Sequence, residues 1–172
     1  MKICILLISI LSFHCIAFKG NTKEDIEIKK LNLKKINLVF TGFHYYLEQQ
    51  TLIESKLLSN GYVLDKESNL LIEIILEDIS PIYSYPKLHF LNLIGSILTA
   101  TMLPYHNISN HKLKVRIRDL GEIVYENNRI ISLHQYRGIL LIPLTPFYWP
   151  SFVFNDSLLM EFDKLLRSLN EV

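Results

Sequence analysis

Residues 112–126 read KLKVRIRDLGEIVYE, and this stretch decides the fold class. Leu113, Val115 and Ile117 alternate with Lys112, Lys114, Arg116 and Arg118, the period of two of a strand with one buried and one wet face. Asp119-Leu120-Gly121 carries turn chemistry and reverses the chain into a second strand over 122–125, which continues with a bend to Ile131. An antiparallel hairpin follows, and with it a sheet that is mainly antiparallel.

Upstream, residues 69–79 predict another strand, with Ile72, Ile74 and Leu76 on one face and Glu73 and Glu77 on the other. Residues 36–40 (INLVF) predict a first strand that ends at Thr41-Gly42. Thr41 is placed to cap a helix over 43–59, in which Tyr46, Ile53 and Leu57 share a face that Leu52 and Leu58 widen. Asn60-Gly61 closes that helix, with Gly61 at the left-handed position and Tyr62 free to pack back on the last turn. Downstream, Asn155-Asp156-Ser157 reads as a helix start, followed by Leu158, Leu159, Phe162, Leu165, Leu166 and Leu169 at helical spacing. The sum is a single α+β domain over 36–172: a four- or five-stranded, mainly antiparallel sheet with both helices on its apolar face.

Two apolar segments stand outside this pattern and are expected together at one end of the domain. Residues 88–104 (LHFLNLIGSILTATMLP) carry Gly95 and Thr99, and Ser96 and Ala100, at a small-xxx-small spacing that permits close helix contact. The segment is at the lower limit for crossing a bilayer, and His89 and Asn92 are unwelcome there. Residues 138–150 (GILLIPLTPFYWP) contain Pro143, Pro146 and Pro150 and cannot be one regular helix. The segments read either as a core helix and an extended core plug or as an interaction surface, and in the second reading Leu93, Ile94 and Ile97 on the first and Phe147, Tyr148 and Trp149 on the second are the candidate membrane or partner contacts.

The remaining constellations read blandly. A net charge of +1 gives no electrostatic footprint for nucleic acid. The basic row Lys112, Lys114, Arg116 and Arg118 has Glu73, Glu77, Glu122 and Glu126 available as cross-strand partners. His14, His44, His89, His106, His111 and His134 form no metal-binding spacing, so no metal or cofactor is expected. No G-x-S-x-G elbow or Cys with an evident base occurs, so the reading is non-enzymatic. Only a deep polar pocket lined by His134 or Asp119 would revive an enzyme.

The N-terminus supplies an address. Met1-Lys2 followed by an apolar run over 3–11 reads as a secretory signal. Cys4 lies within that run and leaves with it, so an intramolecular disulfide is excluded. Two cleavages compete. In one, Leu11-Ser12-Phe13-His14 precedes Cys15, which becomes the first mature residue and carries fatty-acyl chains such as palmitate. In the other, Cys15 and Ala17 occupy the −3 and −1 positions and a lipid-free, secreted chain begins at Phe18. The first reading gives a signal over 1–14 and a polar tether over 15–35.

The order of these features, with SNGY at 59–62, TATMLP at 99–104, RDLGEIVYE at 118–126 and LLIPLTPF at 140–147, resembles small bacterial lipoproteins, and the signal resembles those of spirochaetes. The outline is similar to envelope-assembly lipoproteins such as the lipopolysaccharide-assembly plug proteins. That resemblance implies an envelope location and a non-catalytic role; the outer membrane is the expected address and an envelope protein the expected partner. It transfers one residue, Cys15, although His14 stands where the pattern wants a small side chain.

Overall fold

A computed structural model describes residues 15–20, 24–25, 35–100 and 102–170. The expected signal at 1–14 lies outside them. The strands are β1 (Cys15–Lys19), β2 (Glu24–Asp25), β3 (Lys35–Thr41), β4 (Val63–Leu64), β5 (Leu70–Ile79), β6 (Tyr105–Asp119) and β7 (Glu122–Arg137). The helices are α1 (Leu47–Ser59), α2 (Pro86–Leu98) and α3 (Pro150–Asn170), with a 3-10 helix at Ile139–Leu144. In the sheet the order is β1-β7-β6-β5-β3-β4, and β2 also pairs with β7.

The mixed α+β class is as expected, but the sheet is larger and less antiparallel. β3 pairs in parallel with both β5 and β4. The reason is local: α1 carries the chain back along the sheet between β3 and β5, and such a crossover returns the next strand in the same direction. The surplus over four or five strands comes from β1 and from β2 and β4, each two residues long. β1 lies in the segment read as a tether, where Cys15–Lys19 instead pairs antiparallel with β7 from Arg137 to Leu133.

By its internal contacts the chain divides into two units. One unit combines 21–79, 111–131 and 155–172, and its core is conventional. Ile72, Ile74 and Leu76 of β5, Leu113, Val115 and Ile117 of β6, Ile53 and Leu57 of α1, and Leu158, Phe162 and Leu165 of α3 are buried. Each such side chain contributes roughly 1.5–3 kcal/mol to folding. α1 and α3 are tied by Gln49 Nε2 donating to Asn155 Oδ1 at 2.6 Å and by Lys56–Asp163 at 2.8 Å.

Several ends follow the sequence and others do not. α1 closes as expected: Gly61 has φ +86°, its N–H bonds Leu58 O, and the Tyr62 N–H bonds Leu57 O, the paired bonds of a Schellman motif. It begins at Leu47 rather than Phe43, with Tyr46 and not Thr41 at its cap. Gly42 has φ +82°, and a Cβ there would collide with the Leu76 carbonyl, so the chain between β3 and α1 needs a glycine and cannot yet be helical. α3 starts at Pro150, not at Asn155, because proline suits the first helical turn and the Val153 N–H finds the Trp149 carbonyl. The β6–β7 turn has Leu120 at φ +49° and Gly121 at φ +92°, both central residues left-handed as in a type I′ hairpin.

The wet face of the hairpin is ion-paired as expected, through Glu73 and Glu126. Arg116 Nε donates to Glu126 at 2.8 Å and its Nη1 to Glu73 at 3.1 Å, while Lys114 and Arg118 approach the same two carboxylates. The hydrogen bond from Arg116 is the main cause that holds the Glu126 carboxyl below its ordinary value.

Candidate functional site

The second unit combines 1–20, 80–110 and 132–154, and it gathers Cys15 and both apolar segments. Its helix α2 reverses the usual arrangement. A helix advances about 100° per residue, so His89, Asn92 and Ser96 share one face and Leu91, Ile94 and Leu98 the opposite one. The polar face is the one held by the protein. Asn92 Nδ2 donates to Pro104 O at 3.1 Å and its Oδ1 accepts the His106 N–H at 3.0 Å. His89 stacks on Tyr83 at 3.7 Å between ring centroids and lies 3.2 Å from the Tyr105 hydroxyl, and Ser96 is buried.

The apolar face is outside. Leu88, Phe90, Leu91, Ile94, Ile97 and Leu98 are exposed, Ile97 at 66% and Leu98 at 80%. Of the three contacts expected on this segment, Ile94 and Ile97 are exposed and Leu93 is half-buried. The helix is 13 residues, about 20 Å, against roughly 30 Å of bilayer hydrocarbon. Among the described residues no helix is long and apolar enough to cross a membrane. Among the described residues a Cβ on Gly95 would meet the Leu103 side chain and no second helix, and Thr99 donates its hydroxyl to Gly95 O at 2.8 Å.

The second apolar segment forms the 3-10 helix and the turn after it. Leu140, Leu144, Phe147, Tyr148, Trp149 and Phe152 are exposed, Phe147 most of all at 77%. Tyr148 also supports the edge of the sheet: its carbonyl accepts the Ala17 N–H at 3.1 Å and its ring lies 5.2 Å from that of Phe18. Strand β1 is thus held by β7 on one side and by this turn on the other.

Cys15 is the first residue of β1 and is half-buried. Burial pushes its thiol above the ordinary value, opposed by a hydrogen bond and the charge of Arg137.

Sequence spacing missed one cluster. His106 Nε2 and His134 Nδ1 are 3.0 Å apart and their rings are coplanar within 2°. They line a cavity of about 370 Å³ with Tyr83, Tyr85, His89 and Ile108. Burial, with the neighbouring His134 and His89, holds His106 below the ordinary histidine value. The only available signal was the hairpin register: Asp119 opposite Glu122 counts back to bring His106 within one residue of His134. The cavity contains His134, one of the two residues whose pocket would be the mark of an enzyme. Asp119 is elsewhere, in the hairpin turn. His111 belongs to the other unit, where Asp78 Oδ1 meets its Nδ1 at 2.7 Å and the Tyr46 hydroxyl at 3.0 Å.

No protein-family model matches the chain, and no curated protein is significantly similar to it. Among solved structures it is similar to a minor lipoprotein from Acinetobacter baumannii, with TM-score 0.53 and 12% identity over 82% of this chain and 93% of that one. It also aligns with rare lipoprotein B from Shewanella oneidensis, with TM-score 0.44 and 15% identity over 80% and 95%. The first likeness shows a shared fold, found in a bacterial lipoprotein.

Proposed function

We propose that this chain is a non-enzymatic lipoprotein of the bacterial cell envelope, anchored in the outer membrane by acyl chains on Cys15. It presents the apolar side chains of α2 and of residues 138–150 to the membrane or to an envelope protein. The observation that carries this reading is the inverted helix α2, held by Asn92 and His89 with its leucines and isoleucines outward. Contiguous apolar surface of this kind marks an interaction site in a folded protein.

Strand β1 favours Cys15 over Phe18 as the mature N-terminus. Cleavage before Phe18 would remove Ile16 and Ala17, which are 3% and 0% exposed, together with three of the five β1–β7 pairs. The secreted, lipid-free alternative therefore costs part of the fold. The lipoprotein fold shared with the Acinetobacter baumannii protein supports the same choice.

The test is the intact mass of the mature protein from its host's membrane fraction, beside a Cys15→Ala variant. An acylated species that begins at Cys15 and disappears in the variant is the expected result. An unmodified chain that begins at Phe18 would overturn the anchor.

A further inference from the structure

The two units differ in charge as sharply as in hydrophobicity. The segments 1–20, 80–110 and 132–154 contain no aspartate or glutamate, so all 17 acidic residues of the chain lie in the other unit. From residue 15 onward the acid-free unit carries Lys19, Lys87 and Arg137, as well as His89, His106 and His134. Lys87 has a particular place. It is exposed and stands four, seven and eleven residues before Leu91, Ile94 and Leu98, on the same outer face of α2. A lysine at the end of an apolar helical face can bury its methylene stem beside hydrocarbon and keep its ammonium at the headgroups.

We propose that the acid-free unit seats α2 flat on a bilayer that contains anionic phospholipid, with Leu91, Ile94, Ile97 and Leu98 in the acyl boundary and Lys87 against lipid phosphate. The proposal rests on the reading of this protein as an envelope lipoprotein and names the occupant of its apolar surface. A protein partner would be served by the same leucines, but it gives no reason for a unit without a single carboxylate. A bilayer does: any Asp or Glu carried into the interface would be repelled by lipid phosphate and would lose hydration. The length of α2 fits a helix that lies in the interface and does not cross it.

The experiment uses the mature chain from residue 15 with Cys15→Ser, so that no acyl chain contributes to binding. It is sedimented with large vesicles of phosphatidylglycerol mixed with phosphatidylcholine, and with vesicles of phosphatidylcholine alone. The expected result is partition into the anionic vesicles that falls about tenfold or more in phosphatidylcholine, in high salt, or with Lys87→Glu. Ile97→Glu and Leu98→Glu should abolish it, with an unchanged circular dichroism spectrum because both side chains are exposed. Equal partition into both vesicles, no partition into either, or indifference to Ile97→Glu would overturn the proposal. So would a photocrosslinker at position 98 that, in the intact envelope, captures a protein and no lipid. Failure here leaves the mass measurement at Cys15 untouched, and failure of the anchor leaves this unacylated assay standing.

Discussion

Helices α1 and α2 are each 13 residues long, and they use hydrophobic residues in opposite ways. α1 buries Ile53 and Leu57 completely and keeps Glu48 exposed, with Glu54 and Lys56 half-buried. α2 has more large apolar side chains, yet among its residues only Ser96 is buried, and it is held through His89 and Asn92. Hydrophobic content therefore says little about where a helix is attached. The partners of its polar groups say more.

The largest expected effect tests that difference directly. Leu57→Ala should lower the free energy of unfolding by about 2–5 kcal/mol, because it opens a cavity in a closed core. Ile97→Ala should change it by less than about 0.5 kcal/mol. Urea titrations of the two variants measure both, and comparable losses would break the comparison. Next comes Asn92→Leu, which makes α2 more apolar but leaves the Pro104 carbonyl and the His106 N–H without their partner; a loss of about 1–3 kcal/mol is expected. A gain in stability would mean that α2 is held by its leucines after all.

Acid and alkali should act on the two helices from opposite directions. The hydrogen bond between His106 and His134 needs a lone pair on one ring, and two protonated imidazoles have none. His106 faces His134, His89 and the ring of Tyr136, and its pKa is lowered in the fold. Its contribution to stability is therefore present above the unfolded value of about 6.5 and is lost as pH falls through the lower folded value. Amide protection in α2, corrected for the intrinsic pH dependence of exchange, should fall more than in α1 as pH drops below about 6.5. At the cap of α1 the sign reverses. Burial, together with the hydrogen bond to Asp78, pushes the Tyr46 hydroxyl up to about 12. That contribution is present below the unfolded value of about 10 and disappears as pH rises through the folded one, so α1 should loosen first in alkali.

The smallest effect separates two kinds of exposed leucine. Leu120 sits at φ +49°, where a side chain costs roughly 1 kcal/mol, so Leu120→Gly should stabilise by about that amount. Leu98→Gln, in a relaxed helix, should leave the urea midpoint where it is.

Much of the acid-bearing unit was legible because its elements obey simple periods. The alternation through Ile117, the Asn60-Gly61 stop and the face of Ile53 and Leu57 all report burial against a local partner. The parallel pairing of β3 with β5 follows from the order strand, helix, strand rather than from alternation, which either direction satisfies, and an antiparallel sheet extrapolated from the 112–126 hairpin overlooks it. Strand β1 was hidden for a related reason: CIAFK is too short to show a period, and its register is set by β7, far along the chain. At the candidate site the apolar segments were visible as composition. Their orientation was not, because it depends on a single asparagine bridging Pro104 and His106. The histidine pair needed a hairpin register that is known only once the turn residues are fixed.

The pairing of Cys15 with Arg137 has a consequence for an anchored molecule. A globule on a flexible leash tumbles, and its binding surface meets the bilayer at an effective concentration diluted by every orientation it can sample. If Cys15 carries the acyl chains as proposed, the anchor is the first rung of the sheet and no leash separates lipid from fold. The orientational entropy of docking is given up once, when the chain folds. An acyl chain entering the lipid would then deliver the same unit to the interface each time, and a weak side-chain affinity would be enough.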